Sequence, residues 1–174
     1  MRQFLDIEVD ELTESVLEVA TGKTFKTEVS KASKDFLTTI HKKNGWKFKW
    51  KNEAKENNRQ VFKLTLKSRK SVLLGLICIE SMPDHIHIHL VENSPENVGK
   101  KKLYKGIAGN LFAHACMESF NSGFEGVVSF YAKTNLIDHY SVTLGAFHFA
   151  NNKMVILEKN AYLLVCKYFA HEKN

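Results

Sequence analysis

The chain has few of the features that mark several classes of protein. Its three cysteines are an odd number, lie in apolar runs and lack metal-ligand spacing, which argues against a disulfide framework. No apolar run is long enough to cross a bilayer, and the charges of Asp6 and Glu8 fall where a signal peptide would be apolar. No repeat, low-complexity tract or linker divides the sequence. These absences predict one globular domain over residues 1–174, located in a reducing cytoplasm.

What the chain does contain suits a folded domain with an acidic ligand. It has 174 residues, of which 44% are hydrophobic and 25% charged, enough apolar material for a core. Its net charge is +6, with eight histidines that add positive charge below neutrality. This balance favours an acidic partner, and nucleotide phosphate, nucleic acid and an acidic protein surface all satisfy it.

The N-terminal third predicts mostly helices. Alternation over residues 4–9 indicates a short strand, and apolar residues at helical spacing indicate helices over 11–20 and 30–40. In residues 46–50, WKFKW, three aromatic side chains alternate with two lysines. This pattern predicts a half-buried edge strand, and the alternative is a surface on which nucleic-acid bases stack.

The rest of the chain alternates strands and helices, which predicts an α/β protein with a mixed sheet. Strands are expected at 61–66, 72–79, 85–91 and 127–132, and a hairpin at 147–149 and 154–157. Helices are expected from Gly106 to about 121, from a cap at Asn135 to Gly145, and over 161–169 after a cap at Asn160.

Residues 90–109, LVENSPENVGKKKLYKGIAG, join a strand to a helix through a loop rich in lysine. The helix opens on Gly106, Ile107, Ala108 and Gly109, so its first N–H groups have little side chain in front of them. Such groups are unpaired within the helix and, together with its dipole, attract anions. The stretch therefore predicts an anion-binding cradle.

Three histidines, His85, His87 and His89, alternate along one strand, which places their imidazoles on one face. Histidines in this arrangement can hold a metal, and a histidine-rich polar sheet face is the simpler interpretation. MPDHIHIHL also resembles the signature of the single-tyrosine HUH transposases. That resemblance implies metal-dependent DNA cleavage with Tyr131 or Tyr140 as the nucleophile.

From Ile86 to Leu157 the chain resembles the acyl-CoA-binding half of the GNAT superfamily of N-acetyltransferases. The resemblance is carried by the segments IHIHLVEN, YKGIAGNL, MESFNSGF, GVVSFYA and LIDHYSVTLGA. It implies a GNAT-like α/β domain with a central, mostly antiparallel sheet flanked by helices. It also implies transfer of an acetyl group from acetyl-CoA to an acceptor, commonly an amine, by direct attack.

The resemblance assigns the cradle to coenzyme A. In that family the loop binds the diphosphate in a pattern of Arg or Gln, two residues, Gly, any residue, then Gly or Ala. Gly106 and Ala108 match the end of this pattern, whereas Leu103 stands in place of the Arg or Gln. The implied coenzyme-binding residues are Val91, Lys101, Lys102, Lys105, Gly106, Ile107, Ala108, Gly109 and Asn135.

The resemblance also implies catalytic groups. Tyr140 matches the tyrosine that protonates the departing thiolate in many members. A base must remove a proton from the acceptor amine, and Glu92 is the first candidate, followed by Glu80 and His89. A backbone N–H near Val91, where the strand splays in this family, is expected to stabilise the oxyanion.

Other functions stay open from the sequence. The HUH-like alternative explains the histidines, and Leu103 favours a GNAT-like domain that binds a partner without catalysis. The acceptor is not readable from the residues, a nucleic-acid partner is possible without being favoured, and no membrane association is expected. Both a monomer and a homodimer fit the composition.

Overall fold

The computed structural model describes residues 3–169, which form ten strands and five α-helices. The strands are β1 Val16–Glu18, β2 Thr24–Phe25, β3 Thr27–Lys31, β4 Arg59–Leu66, β5 Leu73–Ser81, β6 Ile86–Asn93, β7 Tyr104–Lys105, β8 Val128–Tyr131, β9 Phe147–Ala150 and β10 Lys153–Ile156. The α-helices are α1 Lys34–Leu37, α2 Trp50–Glu53, α3 Ile107–Asn121, α4 Ile137–Leu144 and α5 Glu158–Phe169. Short 3-10 turns lie at Lys42–Asn44, Pro95–Asn97 and Thr134–Leu136.

Seven strands form one mixed sheet in the order β3-β4-β5-β6-β8-β10-β9. Within the described residues its neighbours pair antiparallel, except β6 and β8, which run parallel. A parallel neighbour needs a crossover, and α3 supplies it between β6 and β8. The predicted α/β fold with a mostly antiparallel sheet and flanking helices is confirmed.

A second, small sheet has the order β2-β1-β7. In it Leu17 pairs with Lys105, and Val16 pairs with Phe25. The small sheet thereby attaches the N-terminal part of the chain to the loop immediately before α3. This attachment positions the residues that surround the candidate site.

Apolar residues pack on both faces of the large sheet. On one face α3 is buried over its first ten residues, Ile107–Cys116, because it lies between the sheet and α5. On the other face Trp46, Trp50 and Leu37 pack against Leu76 and neighbouring strand residues. A helix that is enclosed in this way is apolar around most of its circumference, as the sequence of α3 is.

Four predictions about the N-terminal third are wrong. Residues 11–20 contain the strand β1 and no helix, because Val16 is held in the small sheet and fully buried. Residues 30–40 begin in β3 and contain only the short helix α1, capped by Ser33. Residues 46–50 are a turn entering α2, and residues 4–9 form one bridge, between Leu5 and Ala132.

The second half agrees better with expectation. The strands, the hairpin at Asn151 and the end of α3 before Gly123 are confirmed. Asn135 is not the cap of α4, because a 3-10 turn over Thr134–Leu136 precedes that helix and Leu136 occupies the cap position. Helix α5 begins at Glu158, so Asn160 lies inside it.

None of the helices formed by residues 3–169 is long and apolar enough to cross a bilayer.

A buried histidine gives the fold a testable dependence on pH. His114 on α3 packs against Phe62 with ring centroids 4.6 Å apart, and its Nε2 atom has no hydrogen-bond partner in the described structure. Burial lowers the pKa of His114 to about 4, whereas a histidine in an unfolded chain titrates near about 6.5. The unfolded chain therefore takes up the proton first, and the free energy of unfolding should fall as the pH drops from about 7 toward 4.

We expect His114→Leu to reduce this dependence on pH, measured by urea unfolding between about pH 4.5 and 7.5. His41→Gln is the matched control, because His41 is exposed and should leave the dependence as in the parent protein. If the free energy of unfolding of His114→Leu depended on pH as steeply as that of the parent protein, His114 would not be the source of the dependence.

Candidate active site

The parallel strands β6 and β8 diverge soon after they begin. They pair only through Ile86 with Val128 and His87 with Ser129. Strand β6 then continues to Asn93, paired with β5 on its other side. Beyond the paired residues, a cleft of about 600 Å³ is lined along one wall by Leu90–Asn93 of β6. Its other walls come from the N-terminal segment, the turn before α2 and the loop before α3.

The N-terminal segment, residues 3–15, runs along the side of β8 that β6 leaves unpaired. Leu5 donates its N–H to the carbonyl of Tyr131 at 2.7 Å, and its carbonyl accepts from the N–H of Lys133 at 3.1 Å. Asp6 adds ion pairs to Lys133 at 2.7 Å and Lys47 at 3.2 Å. The segment thus adds a single bridge at Leu5 to the edge of β8 and forms part of the cleft wall.

The start of α3 has the predicted geometry but is not open to solvent. Gly106 takes the left-handed conformation with φ of 91°, which glycine adopts at no steric cost, and it precedes the first helical residue. A Cβ atom at Gly106 would lie 2.0 Å from Oγ1 of Thr13, and one at Gly109 would lie 2.8 Å from Cδ2 of Leu12. Ile107 and Ala108 between them are buried. The N-terminal segment, together with Tyr168 of α5 beside Gly109, therefore covers the predicted cradle.

The predicted cations lie beside the cradle and face acidic partners. Lys102 places its Nζ atom 3.0 Å from Oδ2 of Asp10, and Lys105 places its Nζ 3.9 Å from Oε2 of Glu11. Lys101 is exposed. Two of the three lysines are thus close to Gly106, and both already have a carboxylate partner.

Leu103 contributes no polar group to the cradle. Its side chain is 54% exposed, while its backbone N–H donates to Glu96 and its carbonyl accepts from Val19. The backbone of this residue joins the loop to the N-terminal part of the chain. Its side chain offers nothing to a phosphate.

Tyr140 lies in the core beneath the N-terminal segment. Its ring is fully buried between Phe112 and Phe130, and its hydroxyl donates to the carbonyl of Ile7. Burial raises the pKa of Tyr140, so the hydroxyl keeps its proton at neutral pH. The neighbouring His139 accepts at Nε2 from the N–H of Val9 at 2.9 Å. Both side chains therefore meet the segment that lines the cleft.

Glu92 holds the turn before α2. Its carboxylate accepts three hydrogen bonds, from the N–H of Lys47 at 2.6 Å, the N–H of Phe48 at 3.3 Å and Nε1 of Trp50 at 2.7 Å. The side chain is almost fully buried. These contacts explain why the WKFKW segment forms a turn instead of the predicted strand.

The histidines of β6 lie on the sheet face opposite α3. Nδ1 of His87 is 2.7 Å from Oγ of Ser129, and Nε2 of His89 is 2.9 Å from Oε1 of Glu80. Burial, reinforced by His89 and then His85, lowers the pKa of His87 to about 3. Burial also lowers the pKa of His89, although its hydrogen bond to Glu80 acts in the opposite direction. Both imidazoles are therefore neutral at pH 7.

The histidine strand does not assemble a metal site in the part of the chain that the structure describes. No group of three or more histidine, cysteine, aspartate or glutamate side chains in residues 3–169 is placed to hold an ion. His87 and His89 contact each other edge to face with centroids 4.8 Å apart. Their remaining contacts with Ser129 and Glu80 are those of a hydrogen-bonded polar sheet face.

Two other predicted residues lie at the edges of the site. The side chain of Val91 is buried, and its backbone lies on β6 opposite Ile77, along the cleft wall. Asn135 is exposed in the 3-10 turn that follows β8.

Sequence reasoning missed the contribution of the N-terminal segment. Asp10 and Thr13 contact the site, and neither belongs to a segment that carries the family resemblance. One signal was available: the run DIEVDE, residues 6–11, carries four acids in a chain of net charge +6. An acidic run of this kind is a natural partner for the lysine-rich loop at 100–105.

The fold is similar to solved structures of a bacterial enzyme. A mutant form of the spermidine/spermine N-acetyltransferase SpeG from Vibrio cholerae is 15% identical, with 79% of this chain and 98% of that chain covered and a TM-score of 0.54. A chimera of that protein with hSSAT is 15% identical, covering 79% and 99%, with a TM-score of 0.55. A dodecameric structure of spermidine N-acetyltransferase from the same organism, in an intermediate state, is 16% identical over 79% and 96%, with a TM-score of 0.53.

No family model matches the chain, and no curated protein matches its sequence. The structural similarity shows that the chain has the fold of the GNAT N-acetyltransferases.

The hydrogen bonds of Glu92 predict a structural cost when its charge is removed. Glu92→Gln leaves one acceptor oxygen and places an amide N–H₂ among three N–H donors. We expect the free energy of unfolding to fall by about 2 kcal/mol, since buried hydrogen bonds to a charged group each contribute about 1.5–3 kcal/mol. Urea unfolding measures this loss.

Glu80→Gln is the matched control for Glu92→Gln, because Glu80 is on the same sheet and its carboxylate bonds to the imidazole of His89. The free energy of unfolding should fall less in Glu80→Gln than in Glu92→Gln. Equal stability of Glu92→Gln and the parent protein would show that these three contacts do not hold the turn.

Proposed function

We propose that this protein is an acyl-CoA-dependent N-acetyltransferase that transfers an acetyl group to an amine. The observation that carries the proposal is the cleft between β6 and the N-terminal segment, with Lys102 of the loop before α3 in its wall, in a GNAT fold whose strands β6 and β8 diverge. This arrangement places a groove and an anion-attracting helix end side by side. A thioester coenzyme with phosphate groups suits such a pair of features.

The groups present fit this coenzyme in part. Lys102, Lys105 and the N–H groups of Gly106–Gly109 are the residues that would hold its diphosphate, and Leu90–Asn93 would flank its arm. When bound, acetyl-CoA supplies the acetyl group as a thioester. The fit is incomplete at the cradle, where the side chains of Asp10, Leu12 and Thr13 already lie against Gly106 and Gly109.

We assign the role of base to His89 in preference to Glu92. The carboxylate of Glu92 is occupied by three donors, whereas His89 has a neutral imidazole bonded to one carboxylate, that of Glu80. A neutral imidazole can accept a proton from an ammonium group, and Glu80 would stabilise the charge that forms. His89 also lies on β6 just beyond the point where that strand leaves β8.

We assign the role of acid to Tyr140, as the sequence predicts. Its hydroxyl is protonated because burial raises its pKa, and it points at Ile7, a residue of the cleft wall. To donate to a departing thiolate it must exchange its hydrogen bond with the carbonyl of Ile7 for one to the sulfur. The N-terminal segment therefore bears directly on this step.

The test combines binding and turnover. Calorimetry with acetyl-CoA should show saturable binding, and a thiol-release screen of amines should identify an acceptor. In His89→Gln and in Tyr140→Phe, kcat should fall about 100-fold while acetyl-CoA affinity changes less than about twofold, as expected for loss of a general base or acid.

His41→Gln is the control for these variants, because His41 is exposed and distant in sequence from both groups. It should keep the parent kcat. No binding at millimolar acetyl-CoA, by a correctly folded protein, would refute the proposed activity.

A second candidate is a GNAT-like protein that binds a ligand without catalysis. The covered cradle and the apolar Leu103 favour it. It predicts coenzyme A or nucleotide binding with no thiol release for any amine. It also predicts that His89→Gln and Tyr140→Phe behave as the parent protein.

A further inference from the structure

The geometry points to an autoinhibitory role for the N-terminal segment: Asp10–Thr13 occupies the diphosphate position of the acyl-CoA site and competes with the coenzyme. This inference rests on the proposed function, because it concerns the same cleft. It goes beyond that function because it assigns residues 10–13 as an internal competitor of the coenzyme diphosphate, with the carboxylate of Asp10 in the place of a phosphate.

Asp10 makes the contacts expected of a bound phosphate oxygen. Its Oδ1 accepts from the N–H of Gly106 at 3.2 Å and from the N–H of Glu11 at 2.8 Å. Its Oδ2 accepts from Nζ of Lys102 at 3.0 Å. A backbone N–H at a helix start together with a lysine is a common combination for anion binding. Glu11 places a second carboxylate within reach of Lys105.

Packing excludes simultaneous occupation of the cradle. Oγ1 of Thr13 would lie 2.0 Å from a Cβ atom at Gly106, and Leu12 and Tyr168 would lie within 3 Å of a Cβ atom at Gly109. The backbone surface that the two glycines leave open is therefore filled by this chain. A diphosphate cannot reach the N–H of Gly106 until Asp10 and Thr13 move away.

The contacts of the segment allow such a movement without unfolding the core. Val9 and Val16 are buried and fix the two ends. Between them Asp10 and Glu11 are exposed as whole residues, and Leu12 is only half-buried. The loop that must lift is thus six residues long, 10–15. A coenzyme phosphate would take over the groups bonded to Asp10 and Glu11, and the bond from the N–H of Thr13 to the Tyr168 hydroxyl would also have to break.

The same segment also contacts the acid. Ile7 holds the hydroxyl of Tyr140, and Val9 holds His139. Both residues lie at or before Val9, the buried end of the loop that lifts, so their bonds to Tyr140 and His139 stay in place while Asp10 moves.

The experiment compares the full-length protein with Asp10→Ala and Asp10→Asn, using coenzyme A as the probe in calorimetry. Asp10→Ala removes both oxygens, and with them the charge-assisted hydrogen bonds that compete with the coenzyme, so binding should tighten about tenfold, or about 1.4 kcal/mol. Asp10→Asn keeps one acceptor for Gly106 and loses the charge beside Lys102, so its gain should be smaller. Glu56→Gln, an exposed site on another element, controls for net charge.

Hydrogen exchange of the unaltered protein gives a second, independent readout. Addition of coenzyme A should speed exchange of the amides in residues 10–15, because lifting the loop breaks the bond from the N–H of Thr13 to Tyr168 and exposes the backbone that packs on Gly106. Thermal unfolding of each variant checks that it is folded. Faster exchange together with tighter binding by Asp10→Ala supports the inference.

Two results would overturn it, and they differ from each other. If the parent protein binds coenzyme A and Asp10→Ala binds it no more tightly, with residues 10–15 unchanged or protected, the competitor role is wrong and the proposed function stands. If neither the parent nor folded Asp10→Ala binds coenzyme A, the proposed function fails and this inference fails with it.

Discussion

The short parallel pairing of β6 with β8 is the constraint on which the site depends. Two residue pairs hold these strands together, after which each edge must find other partners for its backbone groups. The free edge of β8 is paired with Leu5, whose N–H donates to the carbonyl of Tyr131 and whose carbonyl accepts from the N–H of Lys133. Strand β6 instead lines a cleft. The position of the N-terminal segment therefore follows from a requirement of the sheet.

The charges are arranged around the same feature. The net charge of +6 suggests an acidic ligand, yet Lys102 and Lys105 already face Asp10 and Glu11. Part of the positive charge near α3 is thus neutralised within the molecule. Whether this site accepts an external anion depends on how the internal carboxylates compare with phosphates, which carry more charge and more acceptor oxygens.

The sequence predicted the second half of the fold well, because periodicity there agrees with tertiary packing. The strands and α3 are long or strongly apolar, and glycines end the helices at Gly123 and Gly145. The predictions for the first third were wrong at two residues in particular. Val16 has the spacing of a helix but lies in strand β1, and Trp50 has the alternation of a strand but begins helix α2. Tertiary contacts decided these cases: Val16 pairs with Phe25, and Trp50 donates to Glu92.

The sequence singled out the lysines, Gly106 and Tyr140, and the structure places Lys102 and Gly106 against the N-terminal segment and Tyr140 beneath it. The covering of the cradle by the N-terminal segment could not be predicted, because Asp10 lies 92 and 96 residues before Lys102 and Gly106, which it contacts. No local pattern reports such a pairing. The carboxylate of Glu92 illustrates the same limit, because the donors that occupy it come from a segment 42 to 45 residues earlier.

The N-terminal segment also bears on the folding of the chain. Its bonds to His139 and Tyr168 span 130 and 155 residues. Contacts of such long separation carry a large cost in loop-closure entropy, which the core formed by the intervening chain must offset.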